Sequence, residues 1–202
     1  MKDTETHKIQ ESDNDVSDNS PLKQKEAVIT SERLQNQFVQ RGRIDIHLHE
    51  AAAEHLKQGA QALNDRDYKK AIQEFLQVLQ HNNSSAEAHF HLGLAYFMLE
   101  DYEKAIDAYK NAIICEPSEL TVYTNLAETY RLLKRYDDAI RVYQAAIQNA
   151  PDNPELHSEL GKVYSLKGKR QEAVDAYKRA MILKLKDSLA SDNQERDTSN
   201  DE

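Results

Sequence analysis

The chain has 202 residues, a net charge of −9, a single cysteine and no tryptophan. No basic face of the kind that binds nucleic acid is evident, and the longest apolar run, "LGLAYFML" at 92–99, is far shorter than the ~20 residues of a membrane span. One cysteine excludes an internal disulfide framework and fits a reducing compartment, so we expect a cytoplasmic protein. The short apolar run and the missing basic face lead us to expect no membrane span and no nucleic-acid partner.

The two ends of the chain carry its negative charge. Residues 1–20 hold six acids against two lysines, and residues 187–202 hold six acids against one arginine. Both segments are nearly free of aliphatic residues, so they cannot bury enough apolar surface to offset the entropy lost on ordering. We expect 1–20 to be a disordered acidic tail, and 188–202 to be a helix extension followed by a second disordered acidic tail.

Residues 21–51 give mixed signals. In "TSERLQNQFVQ", Ser31 is a possible helix cap and Leu34 and Phe38 lie four residues apart, which indicates a short amphipathic helix. "RIDIHLH" alternates apolar and polar residues like a strand, but no other strand pattern exists for it to pair with. We expect a partly ordered N-terminal arm over 21–51.

From residue 52 onward the sequence repeats every 34 residues. One alanine recurs at this interval, with a small residue twelve positions before it and an aromatic residue four positions after it. The alanines are Ala71, Ala105, Ala139 and Ala173; the small residues are Gly59, Gly93, Ala127 and Gly161; the aromatics are Phe75, Tyr109, Tyr143 and Tyr177. Pro117 and Pro151 recur at the same spacing. A period of this length is typical of stacked repeats.

This register resembles the tetratricopeptide repeat family. The second repeat has His89, Leu92, Gly93 and Tyr96 on one helical face, and its pattern then runs through Ala105 and Tyr109 to Pro117. The resemblance implies an all-α, right-handed α-solenoid of four tandem 34-residue helix-turn-helix repeats at 52–85, 86–119, 120–153 and 154–187.

Several residues predict where the helices begin and end. Asp67 and Asp101 are candidate caps for the second helices of the first two repeats. Pro117 and Pro151 should end those of the second and third. The fourth repeat has Leu185 where proline would stand, so its last helix can continue to about Ala190 and serve as a C-terminal cap.

The histidines are candidates for metal ligands, but a packing role explains them. His55, His89 and His157 occupy the slot where the family usually has tryptophan, with Tyr123 in the third repeat. His91 lies roughly 200° around the helix from His89, so the two cannot hold one ion. A zinc site would need the arm to bring other histidines towards His55. We expect no metal and no cofactor.

No catalytic constellation is visible either. Cys115 should end a helix beside an acid that disfavours a thiolate. Gly168 precedes a lysine, but the rest of a phosphate-binding loop is missing. We expect no catalytic residues and no enzymatic activity.

The family resemblance places the first helix of each repeat along a concave groove. Phe90, Leu94 and Phe97 form an apolar stripe there that the repeat does not require, and Leu56, Ala60 and Leu63 hold the matching places in the first repeat. The third and fourth repeats have polar residues instead. Such a patch indicates a partner site, unless the arm covers it as private core. The candidate groove residues are Leu56, Leu63, Phe90, His91, Leu94, Phe97, Asn125 and Glu128.

Relatives that grip chaperone C-termini use a carboxylate clamp of lysines, asparagines and an arginine. This chain has no cation at the corresponding places and only Asn125 among their asparagines, so we expect no carboxylate-clamp chaperone binding. The resemblance implies a non-enzymatic interaction module, an adaptor, co-chaperone or assembly factor that holds a protein or peptide partner. The alternative is a self-associating structural scaffold whose end faces stack into a homo-oligomer.

Overall fold

The computed structural model describes residues 49–198, and side chains within 49–189 of that range. The acidic segment 1–20, most of the arm at 21–51 and the last four residues lie outside the described residues. The arm prediction included 49–51, but these residues form the first described turn of helix α1.

The described chain is entirely helices and the turns that join them, with no strand within 49–198. The eight helices are α1 (49–64), α2 (Tyr68–His81), α3 (Ala86–Met98), α4 (Tyr102–Cys115), α5 (Leu120–Leu132), α6 (Tyr136–Asn149), α7 (Pro154–Leu166) and α8 (Arg170–Thr198). Contacts run between consecutive helices from α2 to α8. The predicted all-α right-handed solenoid of helix pairs is confirmed.

The turn inside each repeat is a Schellman motif repeated four times. The second residue after each first helix is left-handed, with φ of 60° at Arg66, 60° at Glu100, 57° at Lys134 and 81° at Gly168. The next residue donates its backbone N–H to the carbonyl five positions earlier, as Asp101 does to Tyr96 at 3.0 Å. This bond satisfies a carbonyl that the helix end would otherwise leave unpaired.

Helix starts follow the predicted caps in part. The Asp67 side chain accepts the backbone N–H of Lys70 at 3.2 Å, so its capping role is confirmed. Asp101 occupies the same position before α4 but makes no capping bond, so that prediction is wrong. Its carboxylate instead pairs with Lys104 Nζ at 2.6 Å. Lys70 is the equivalent lysine of the first repeat, and it donates its backbone N–H to Asp67 instead.

The helix ends were predicted well except at the C-terminus. α4 and α6 end two residues before Pro117 and Pro151, as expected. α8 continues to Thr198 rather than ending near Ala190. No proline or glycine interrupts 170–198, and lysine, glutamine, glutamate and arginine tolerate a helix well, so nothing local ends it earlier.

The core lies between the two helices of each repeat and between neighbouring repeats. Each large aromatic residue of a second helix packs on the small residue of the preceding helix, so a methyl group added at Gly93 would lie 2.6 Å from the Tyr109 ring. One buried cluster extends from Ala105 on α4 to Val163 on α7, and another joins Ala62 on α1 to α2, α3 and α4. The described repeats therefore bury apolar surface by stacking on one another.

Candidate functional site

The residues in the family's tryptophan slot hold the turns between repeats. Hydrogen bonds of 3.0, 3.0 and 2.9 Å run from the side chains of these residues to carbonyls six positions earlier. The pairs are His89 with Asn83, Tyr123 with Pro117, and His157 with Pro151. The three carbonyls are themselves 34 residues apart, so one bond recurs at each junction. The polar tip of the slot residue ties the first helix to the turn that leads into it.

His55 occupies the same slot in the first repeat but has different partners. Its Nδ1 lies 2.7 Å from Glu74 Oε2, and its ring stacks on that of His81 at 6.4 Å between centroids. These contacts join α1 to α2. The slot histidines His55, His89 and His157 thus have structural partners, and within the described residues no three His, Cys, Asp or Glu side chains come together as a possible metal site.

His91 has an apolar environment instead. Its ring stacks on Phe75 of the preceding repeat at 5.4 Å and lies against Phe90 at 5.2 Å. Its Nδ1 is buried and has no hydrogen-bond partner among the described residues. Burial lowers the pKa of His91, and the nearby Glu87 carboxylate offsets only part of this effect. The side chain is therefore a neutral, largely apolar surface at neutral pH.

Three predicted groove residues line one cavity between the first two repeats. Leu63 of α1 and His91 and Leu94 of α3 surround a space of about 440 Å³, which we call the N-terminal groove cavity. The rest of its lining is Ala60, Asn64, Arg66, Tyr68 and Met98. Leu94 and Met98 are only partly covered, so this apolar wall faces open space.

The equivalent position between the last two repeats is charged. A space of about 480 Å³, the C-terminal groove cavity, is lined by Glu128, Arg131, Glu159, Lys162, Ser165, Leu166 and Tyr177. Arg131 Nε donates to Glu128 at 2.6 Å, and Lys162 Nζ donates to Glu159 at 2.6 Å. Each carboxylate raises the pKa of its cationic partner. Both cations are therefore already paired with acids of the same helix.

The structure separates the predicted apolar stripe. Phe90 lines a different cavity of about 290 Å³, together with Glu87, Ala112 and Val122. The Phe97 ring packs edge-on against Tyr102 at 5.6 Å, and both phenylalanines lie partly buried against the core cluster. Of the stripe, only Leu94 lines the N-terminal groove cavity. A helical wheel could not show that Phe90 and Phe97 are separated from Leu94, because the burial of each ring depends on the neighbouring helices.

The remaining predicted groove residues are engaged within the fold. Leu56 packs against the core cluster of the first two repeats. Asn125 donates from Nδ2 to the carbonyl of Thr121 at 2.8 Å, a bond inside its own helix. Met98 and Leu166, which the sequence analysis missed, line the two cavities at equivalent positions. The two residues are 68 positions apart, twice the 34-residue period, and this register was the signal that could have identified them.

Profiles of known families match most of the repeat region. A TPR repeat profile matches residues 67–100 and 127–168, and two tetratricopeptide repeat profiles match 86–119 and 156–191. The chain belongs to the tetratricopeptide repeat family. No curated protein sequence matches it. In the part of the chain that the structure describes, no helix has the length and apolarity needed to cross a membrane.

Solved structures share the fold. A crystal structure of MamA is 27% identical, with a TM-score of 0.63 over 78% of this chain and 95% of that one. A thermophilic TPR protein of Thermus thermophilus, TTC0263, is 26% identical, with a TM-score of 0.52 over 65% and 74%. A structure of MamA from Desulfovibrio magneticus RS-1, from residue 41 to the end, is 18% identical and shares the fold alone. Its TM-score is 0.60 over 77% of this chain and 93% of that one.

Proposed function

We propose that this protein is a non-enzymatic protein–protein interaction module, an adaptor, co-chaperone or assembly factor that binds a peptide or helix in its groove. The N-terminal groove cavity is the observation that carries this proposal. Its wall of Leu63, Leu94 and Met98 is open and apolar at a place where the last two repeats present paired charges. The stacking of the repeats does not require this apolarity, and an open apolar surface is typical of a binding site.

The lining also limits what kind of partner fits. The apolar wall of this cavity of about 440 Å³ suits one or two aliphatic or aromatic side chains of an extended or helical segment, while Asn64 and Arg66 contribute polar groups to the rest of the lining. At the other end, Arg131 and Lys162 are already paired with acids, so neither is available to hold a carboxylate. We therefore propose that the partner is recognised by apolar side chains, and that acidic chaperone C-termini are not bound through a carboxylate clamp.

A displayed random-peptide library, selected against the purified protein, tests this function. We expect the enriched peptides to carry apolar anchor residues, and Leu94→Asn to weaken their binding by about tenfold or more, as loss of an interface anchor does. Ile114→Asn is the matched control, because Ile114 is 76% exposed on α4 and lines neither groove cavity. Peptides without apolar anchors, or equal binding by the Leu94 variant, would contradict the proposal.

The cellular location remains part of the same proposal. A single, half-buried cysteine at the end of α4 suits a reducing compartment, and we propose that the protein acts in the cytoplasm.

A further inference from the structure

The last helix exposes an apolar face where earlier second helices are covered. Val174, Tyr177 and Met181 lie on this face, and Leu185 and Leu189 continue it. Tyr177 is 38% exposed, whereas the equivalent Tyr143 is 3% exposed. Val174 is 45% exposed, whereas the equivalent Ile140 is 7% exposed. We call these five residues of α8 the terminal face.

The repeat itself shows what kind of element covers such a face. Ile140 and Tyr143 of α6 belong to one buried cluster with Leu156, Leu160 and Val163 of the following helix, α7. The three α7 residues have the spacing i, i+4, i+7, which places them on one side of a helix. α5 presents Val122, Leu126 and Thr129 to α4 with the same spacing, all of them buried. The element that fits the terminal face is therefore a helix with three small or aliphatic residues at this spacing.

The chain's own first helix does not have this pattern. At the three corresponding positions α1 carries Glu54, Gln58 and Gln61, and all of them are exposed. Placing these side chains on the terminal face would bury polar groups without partners, which is unfavourable. Head-to-tail stacking of two copies through α1 and α8 is therefore a poor fit.

The charges around the terminal face favour an acidic partner. Arg170, Lys178 and Lys186 lie within one turn of its apolar residues, and none of them forms an ion pair among the described residues. Three acids also lie within one turn of the face: Glu172 pairs with Lys169 at 3.2 Å, Asp175 accepts a hydrogen bond from Gln171 at 3.1 Å, and Asp187 is likewise engaged. Two terminal faces brought together would oppose like charges, which is unfavourable at an interface. A helix with glutamates or aspartates beside its apolar residues would pair with the cations.

We propose that the terminal face of α8 docks an amphipathic helix of another protein, with aliphatic residues at i, i+4 and i+7 and acidic residues beside them. The docked helix takes the place of the first helix of a further repeat and extends the stacked core by one layer. This surface is separate from the two groove cavities, except that Tyr177 borders the C-terminal one.

A peptide taken from the protein itself provides the probe. Residues 153–167 contain Leu156, Leu160 and Val163 together with Glu155 and Glu159. A hydrocarbon staple between positions 158 and 162, on the opposite side of the helix, keeps the peptide helical. The control is residues 51–65, stapled at 56 and 60, which have polar residues at the three docking positions. Both are labelled and titrated with the full chain, and binding is followed by fluorescence anisotropy.

We expect the 153–167 peptide to bind at least about tenfold more tightly than the control, and Met181→Gln to weaken it by about tenfold or more, as loss of an interface anchor does. Lys178→Glu should also weaken it and reduce its dependence on salt. Ile114→Gln, which lies outside both the terminal face and the groove cavities, should change nothing. Equal binding of the two peptides, or binding that Met181→Gln leaves unchanged, would overturn the proposal. So would a dimer in light scattering that Met181→Gln abolishes, because a second copy would then occupy the face.

Discussion

Gly93→Ala tests how tightly the first helix of a repeat packs on the aromatic residue of the second. The new methyl carbon would lie 2.6 Å from both Cδ1 and Cε1 of Tyr109, well inside van der Waals contact. The Tyr109 ring is fully buried and lies against Phe90, so it has little room to move away. Overpacking of this kind destabilises by about 1–3 kcal/mol, while alanine regains about 1 kcal/mol of helix propensity. We expect a net loss of up to about 2 kcal/mol in the free energy of unfolding.

Gly161→Ala is the matched control for this prediction. Its methyl carbon would lie 2.8 Å from the same two ring carbons of Tyr177, so the static clash is similar. Tyr177 is 38% exposed on the terminal face and can shift outward. The gain in helix propensity should then balance the small strain, leaving stability within about 0.5 kcal/mol of the wild type.

Urea denaturation followed by circular dichroism measures both variants. The midpoint should fall for Gly93→Ala with an unchanged slope, which indicates a change in stability and not in the surface exposed on unfolding. If Gly93→Ala is as stable as the wild type, or if Gly161→Ala is the less stable of the two, the buried ring does not resist displacement and the packing argument is wrong.

Three further predictions use the same denaturation assay. Tyr123→Phe removes the hydroxyl that donates to the Pro117 carbonyl at 3.0 Å and should cost about 1 kcal/mol; an unchanged midpoint would show that the slot residue acts by packing alone. Glu100→Gly relieves a left-handed residue with φ of 60° and should stabilise by about 1 kcal/mol, whereas a loss would show that this turn is not strained. Burial holds the folded-state pKa of His91 below its usual 6.5, so the unfolded chain takes up the proton first and stability is lost as the pH falls below about 6.5. His91→Phe should remove the share of this acid-induced loss of stability that comes from His91. If stability depends on pH identically in the variant and the wild type, the prediction is wrong.

The sequence indicated the repeat architecture because the fold is built from local contacts. The 34-residue spacing of Ala71, Ala105, Ala139 and Ala173 reappears in the starts and ends of the helices. Consecutive helices pack on one another, so a pattern that is periodic along the chain is also periodic in space. The left-handed turn residue Gly168 and the helix ends before Pro117 and Pro151 follow from backbone chemistry that a sequence displays directly.

The groove was only partly predictable. Helical spacing brought Leu63 and Leu94 to one surface, the family's groove positions added His91, and the structure has all three in one cavity. The same spacing grouped Phe90 and Phe97 with Leu94, although both rings are partly buried against the core. Helical angle gives the direction of a side chain, but only the neighbouring helix decides whether there is a pocket for it to enter.

The sequence by itself determined the helical repeat, the order of its helix pairs and the residues that recur in each repeat. It could not decide which apolar faces are covered. Val174 and Ile140 are both aliphatic and occupy the same place in the repeat, yet one is 45% exposed and the other 7% exposed. The difference comes from α7, which packs on α6, while no described helix packs in the same way on the terminal face of α8. Burial is a property of the neighbour as much as of the residue, so only the tertiary structure shows it.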